Sequence, residues 1–224
     1  MASSSLLADV EAALGLSVDL GYASKAQDHD LYEAYVLTLL LERAHASGWT
    51  LDLFDGWGNA VTAPIFRLGP GRITSRDYTF VRMTKSGRTP LEAHLGVRVS
   101  GQSHVSISTP TNSGRLLHEF DLVVLPESVA TSCRANGDDP DHSVVTIHAE
   151  MKFYTGKLSL PIGRASIGMA LECGLAGKSV LVTNQLGYTV QDLVQHHQVA
   201  FRFNVLPSNS LGEWHLKSWF STFL

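Results

Sequence analysis

Two runs of strand length constrain this chain more than anything else in it. Residues 116–125 (LLHEFDLVVL) and 144–154 (VVTIHAEMKFY) are apolar enough to be buried, yet both carry charges. Glu119 and Asp121 stand in the first run, Glu150 and Lys152 in the second. A buried charge is costly unless it is paired or binds a metal. Side chains two apart on a strand share a face, so Glu119, Asp121 and Val123 are expected together, as are His148, Glu150 and Lys152. Pro126 stops the first strand. The polar stretch 127–143, with Asn136-Gly137 and Asp139-Pro140, reads as a long hairpin loop that makes the two strands neighbours. Two explanations fit the charges. One is a solvent-facing strand surface with Lys–Asp or Lys–Glu cross-strand pairs. The other is a pair of carboxylates holding one divalent cation, Mg²⁺ or Mn²⁺, with a lysine that orients water and balances phosphate charge.

The remaining elements frame these strands. Residues 30–47 read as a helix with Asp30 as N-cap, a broad apolar face from Leu31, Tyr35 and Leu39, and Gly48 at its end. Residues 49–54 read as a strand, and short antiparallel strands are expected near 77–84 and 92–100. After the charged strands come a helix over 162–175, a buried strand over 178–183, a helix over 189–198 and a strand over 199–205. The tail 211–224 is amphipathic, with Trp214, Trp219, Phe220 and Phe223. The order αβββαβ, with additions at both ends, predicts one α/β domain with a mixed sheet. Its core spans about 30–205, preceded by an extension over 1–29 and followed by the tail 206–224.

Composition removes several classes of function. With 224 residues, 44% hydrophobic and 17% charged, the chain can build a sizeable core and is not a disordered polymer. Net charge is −4, which excludes a binder relying on bulk positive charge. The charge is uneven: −7 over residues 1–55, +6 over 56–115 and −3 over 116–224. The basic segment, with Arg72, Arg76 and Arg82, is a candidate polyanion footprint; the plain alternative is a solvated strand surface. Two cysteines, Cys133 and Cys173, make neither a disulfide framework nor a four-cysteine zinc site, and a reducing cytoplasm is the simplest setting. No targeting segment or membrane span is expected.

Asp121 and Glu150-Met151-Lys152, on consecutive strands and followed by a helix, resemble the signature of the PD-(D/E)XK nuclease superfamily, the restriction-endonuclease-like fold with an αβββαβ core. The resemblance covers the order of elements from about residue 30 to 205. It implies that Asp121, Glu150 and the carbonyl of Met151 bind Mg²⁺, with Mn²⁺ able to substitute, and that Lys152 assists the attacking water. Phe120 stands where many members have a proline. Members often carry an acid on the first core helix, which falls to Glu33 in the first turn of the expected helix. The alternative for Glu33 is simple complementarity to the helix dipole. The helix after the catalytic strand often offers a phosphate contact, here Arg164 or Ser166, with Lys157 nearby. The implied activity is an endonuclease-type hydrolase acting on DNA, leaving a 5′-phosphate and a 3′-hydroxyl, in restriction, defence, repair or mobile-element processing. The second reading is a silent nuclease-fold module that binds nucleic acid or a protein. A third is an unrelated α/β domain with an exposed ladder of salt bridges. Small size, without helicase or methylase motifs, implies a homodimer or a partner protein.

Other chemistry-bearing residues have plainer readings. Glu119 could order a second ion or pair with a base. His148 reads as a core histidine, Gln185 as a turn residue and His196-His197 as helix-end residues. Asp138, Asp139 and Asp141 lack the spacing of a calcium loop, and Gly69-Pro70-Gly71 lacks the lysine of a phosphate loop.

Overall fold

The computed structural model describes residues 2–105 and 117–224. Arg115, part of the basic segment, and Leu116, the expected first residue of a charged strand, lie outside the described residues. The elements in chain order are α1 (Ala2–Leu14), α2 (Leu20–Ala23), α3 (Asp28–Ala46), β1 (Thr50–Asp55), β2 (Thr79–Thr84), β3 (Leu91–Ser100), α4 (Gln102–Val105), β4 (Leu117–Pro126), α5 (Glu127–Asn136), β5 (Ile147–Lys152), α6 (Leu160–Glu172), β6 (Ser179–Thr183), α7 (Tyr188–His196), β7 (Ala200–Arg202) and α8 (Ser210–Phe220). Among the described residues seven strands form one mixed sheet in the order β1-β2-β3-β4-β5-β6-β7. It is antiparallel from β1 to β5, and parallel from β5 to β7. The expected α/β class with a mixed sheet between helices is therefore present.

Each face of the sheet carries a hydrophobic core, as a two-sided sheet requires. Leu31, Leu37 and Leu40 of α3 pack with Leu122, Ala149 and Val180 in one. That core also takes Leu6 and Val10 of α1 and Leu216 and Phe220 of α8, so both terminal additions are built into it. The other core joins Val123, Leu125 and Leu181 to Ala130 of α5, Ile167 and Ala170 of α6, and Val190 and Val194 of α7.

Three expectations need correction. The first long helix starts at Asp28, not Asp30: Gln27 is the N-cap, and its N–H donates to the Asp30 carboxylate at 2.8 Å. Asp30 thus caps from inside the helix, as the acid of a capping box does, and Glu33 falls in the second turn. The stretch 127–143 is no plain hairpin loop. It holds α5, with Pro126 as N-cap and Gly137 ending the helix at φ 78°. Only Ala130 and Cys133 of α5 are buried, which explains why its sequence shows no apolar stripe. The strand expected over 199–205 is confined to Ala200–Arg202.

Beside the charged residues the sheet changes character. Gly96 of β3 has φ 57° and falls in the register between Leu95↔Leu122 and Val97↔Phe120, opposite Asp121. Such a backbone conformation suits glycine, and a Cβ there would also meet the Gly69 carbonyl oxygen at 3.1 Å. Across this point the buried side chains change sides: Leu95 and Leu122 lie in the α3 core, Val97 and Phe120 in the α6 core. Simple alternation therefore does not run through Asp121.

Candidate active site

β4 and β5 are laddered only where Leu122, Val123 and Val124 face Ala149, His148 and Ile147. One step further, the register places Asp121 opposite Glu150, and there the strands part. The Met151 N–H donates to Asp121 Oδ2 at 2.7 Å, so a carboxylate caps the mouth of the fork. On its other side β5 stays paired with β6 through Lys152↔Thr183, which holds the catalytic-strand candidates in place. Lys152 Nζ lies 2.6 Å from Glu150 Oε1 and 3.3 Å from Asp121 Oδ2. The structure thus brings Asp121, Glu150, Met151 and Lys152 together at one point.

Glu33 comes to the same fork from α3. It is the single residue between Leu31 and Leu41 that is not fully buried. Burial, then the negative field of Asp121, raise its carboxyl to about 9. The same two causes raise Glu150 and Glu119, with Lys152 opposing both. Burial would depress the Lys152 ammonium, but Asp121 and Glu150 overcome that and hold it well above the ordinary lysine value. The fork therefore contains more carboxylate than its one ammonium can balance. Its donors are all oxygen, which is the donor set of Mg²⁺ or Mn²⁺. Among the described residues no three His, Cys, Asp or Glu side chains are already gathered as a ligand cage. Lys152 stands between the two carboxylates instead, 2.6 Å from Glu150 and 3.3 Å from Asp121.

The Glu33 carboxyl gives a pH-dependent expectation. A carboxyl whose pKa is raised by folding costs nothing below its unfolded value, near 4.5, and costs more as pH rises toward about 9. Glu33→Gln should leave the melting temperature in EDTA almost unchanged at about pH 4.5 and raise it at about pH 8. Thermal melts at the two pH values check this; an equal difference at both would mean that folding does not raise the Glu33 carboxyl.

His148 is fully buried and neutral. Its Nδ1 lies 2.8 Å from Ser179 Oγ and its ring packs 4.2 Å from Phe120. Burial, then the Lys152 charge, push it down to about 3, which removes it as a proton acceptor on an exposed water.

The expected polyanion contacts divide differently. Arg72 Nε bonds both Asp139 oxygens, at 2.9 and 3.0 Å, and its Nη2 donates to the Gly137 carbonyl. Arg82 Nε lies 2.9 Å from Glu127 Oε1 and its Nη2 3.6 Å from Glu92 Oε1. Arg76 stacks over the exposed Trp57 ring at 4.2 Å. The first two are therefore engaged by carboxylates inside the fold, and the structure does not bring these arginines to the fork. Arg164 is exposed and has no ion pair among the described residues, as a phosphate contact would require. Ser166, by contrast, is buried under α6 and unavailable to a ligand. Asp139 is occupied by Arg72, and Asp141 accepts the Ser143 N–H at 2.8 Å. Burial raises both thiols, Cys173 to about 12, so neither is a nucleophile.

Two arrangements escaped the sequence reading. Glu92 and His94 are fully buried; His94 Nε2 is 3.2 Å from Glu92 Oε2, and Arg134 of α5 grips the same carboxylate at 2.6 and 2.9 Å. Burial would raise Glu92, but bonds from His94 and Arg134 hold it down to about 2. This cluster pins α5 across the sheet. The second is Asn184, whose amide bonds both backbone groups of Tyr154 at 2.9 Å. The Arg134–Glu92 and Asn184–Tyr154 bonds join residues 42 and 30 apart in sequence, which no local pattern reports. No protein-family model, no curated protein and no solved structure matches this chain.

Proposed function

We propose that this protein is a Mg²⁺-dependent deoxyribonuclease with a restriction-endonuclease-like αβββαβ core, in which Mn²⁺ can substitute. The observation that carries the reading is the fork itself: Asp121 opposite Glu150, with Lys152 Nζ within 3.3 Å of both. The element order supports it. α3 precedes the antiparallel run β3-β4-β5, and α6 then leads into β6, parallel beside β5. The raised carboxyls of Glu33 and Glu150 support a cation at this place, because a positive charge arriving beside them would displace their protons and favour the ionised, ligating form.

In this mechanism the Asp121 and Glu150 carboxylates and the Met151 carbonyl would hold the cation, and Glu33 would support it from α3. A bound divalent cation supplies charge stabilisation on a phosphate oxygen and a more acidic water. Lys152 orients the attacking water and offsets the charge that builds on the phosphate. The Met151 N–H bond fixes Asp121 in rotation, so the carboxylate needs no rearrangement during the reaction. Water attack releases a 5′-phosphate and a 3′-hydroxyl.

One observation favours the second reading, a silent module that binds DNA or a partner: Lys152 already pairs with both carboxylates. Incubating plasmid and single-stranded DNA with the protein in Mg²⁺, Mn²⁺ or EDTA decides between them. The nuclease reading expects cutting with either ion, none in EDTA, and product ends that a ligase can join without kinase treatment. Binding without cutting under every condition would establish the silent module.

A further inference from the structure

We infer that the cleft at the β7 edge of the sheet, between α7 and α8, binds a small organic carboxylate through Arg202; this does not rest on the nuclease reading. Among the described residues β7 has β6 on one side and no strand on the other. A cavity of about 300 Å³ opens there. α7 contributes Gln191 and Gln195 to it, and the end of β7 contributes Phe201, Arg202, Phe203 and Asn204.

The start of α8 closes the cavity, and it is fixed in place. Asn204 has φ 52°, a conformation that asparagine tolerates. Its carbonyl accepts the Asn209 side-chain amide at 2.8 Å. α8 comes so near that a Cβ on Gly212 would collide with the same carbonyl. The first turn of α8 is thus seated on the end of β7, and Gly212 itself lines the cavity.

Among the described residues, Arg202 is the one Asp, Glu, Lys or Arg that lines this cleft. Its Nε donates to the His215 carbonyl at 3.1 Å and its Nη1 to the Phe201 carbonyl at 2.8 Å. Both bonds go to neutral groups, so they position the guanidinium without cancelling its charge. Nη2 makes no hydrogen bond and no carboxylate pairs with the group, among the described residues. Burial lowers its proton affinity, and no acid opposes that. Arg72, Arg82 and Arg134, by contrast, are each held by a carboxylate. The side-chain amides of Gln191, Gln195 and Asn204 likewise carry no hydrogen bond among the described residues.

These groups specify the occupant. A guanidinium with a free edge binds carboxylate or phosphate oxygens. One positive charge balances the single charge of a carboxylate, whereas a phosphate monoester brings about −1.5 to −2 at neutral pH. Phe201 and Phe203, on either side of Arg202, offer apolar surface, and the amides can bond neutral polar groups. A volume at the lower end of small-molecule sites admits a compact ligand. The class is therefore a small molecule with one carboxylate on an apolar body.

The test titrates benzoate into isotope-labelled protein and follows the backbone amides by NMR, with benzamide and phenyl phosphate as controls. Benzoate should shift the Arg202, Phe203 and Gly212 amides and saturate in the millimolar range, as suits a ligand of so few atoms. Benzamide has the same shape without the charge and should bind about tenfold more weakly or worse. Phenyl phosphate should bind no more tightly than benzoate. Arg202→Gln should weaken benzoate by about tenfold or more. Because Arg202 also ties α8 to β7, Gln191→Glu is the second variant. It leaves those bonds in place, adds a carboxylate to the cleft wall, and should weaken benzoate by a similar factor. No saturable shift in wild type, equal affinity for benzoate and benzamide, or unchanged benzoate affinity in Gln191→Glu would overturn the site. Tighter binding of phenyl phosphate would overturn its assignment to a carboxylate.

Discussion

Replacing Lys152 by alanine should slow single-turnover cleavage by about 10²–10³-fold while DNA affinity changes little. That is the usual loss when one preorganised electrostatic or proton-transfer group is removed. Affinity holds because phosphate contacts are spread along the strand. Lys152 touches the carboxylates at 2.6 and 3.3 Å and contributes nothing to either hydrophobic core, so the fold survives. Its loss leaves Asp121 and Glu150 facing each other without a counter-charge. The variant should therefore melt earlier than wild type in EDTA and recover in Mn²⁺, since a cation then takes over the neutralising role. Filter binding and cleavage on one substrate check the split; a variant that cuts as fast as wild type would reduce Lys152 to a strand-surface residue.

Mn²⁺ should stabilise the wild type, and Asp121→Asn should lose most of that stabilisation. The substitution keeps the local structure, because an asparagine oxygen can still accept the Met151 N–H bond now made at 2.7 Å. It removes one negative charge from a group that raises Glu33, Glu150 and Glu119. In EDTA at about pH 8 the variant should thus be at least as stable as wild type. Losing outer partners of a metal site costs about 10–100-fold in affinity, so losing an anionic ligand should cost about 100-fold or more. At an ion concentration of about 100 times the wild-type Kd, wild type gains about 2.7 kcal/mol and the variant about 0.4 kcal/mol or less. Thermal melts with and without Mn²⁺ read that difference; equal Mn²⁺ shifts would remove Asp121 from the ligand set.

The sequence made the charged strands legible because a carboxylate in an apolar run is costly and demands a reason. Nothing local could report the rest. α5 hides in a polar stretch because it buries only Ala130 and Cys133. The basic segment looked available to a polyanion because Asp139, Glu127 and Glu92 reach Arg72 and Arg82 only after folding. Alternation placed Asp121 and Val123 on one face, but the conformation of Gly96 moves the buried side chains from one core to the other at that point. The change falls at Asp121, which is also the residue at which β4 and β5 part.

Calorimetric titration of Mn²⁺ into wild type and Asp121→Asn, without nucleic acid, tests the claim that the fork between β4 and β5 is a cation site. The expected result is a single saturable binding process for wild type, weakened by about 100-fold or more in the variant. Identical isotherms for the two proteins, or no Mn²⁺ binding by wild type at all, would contradict it.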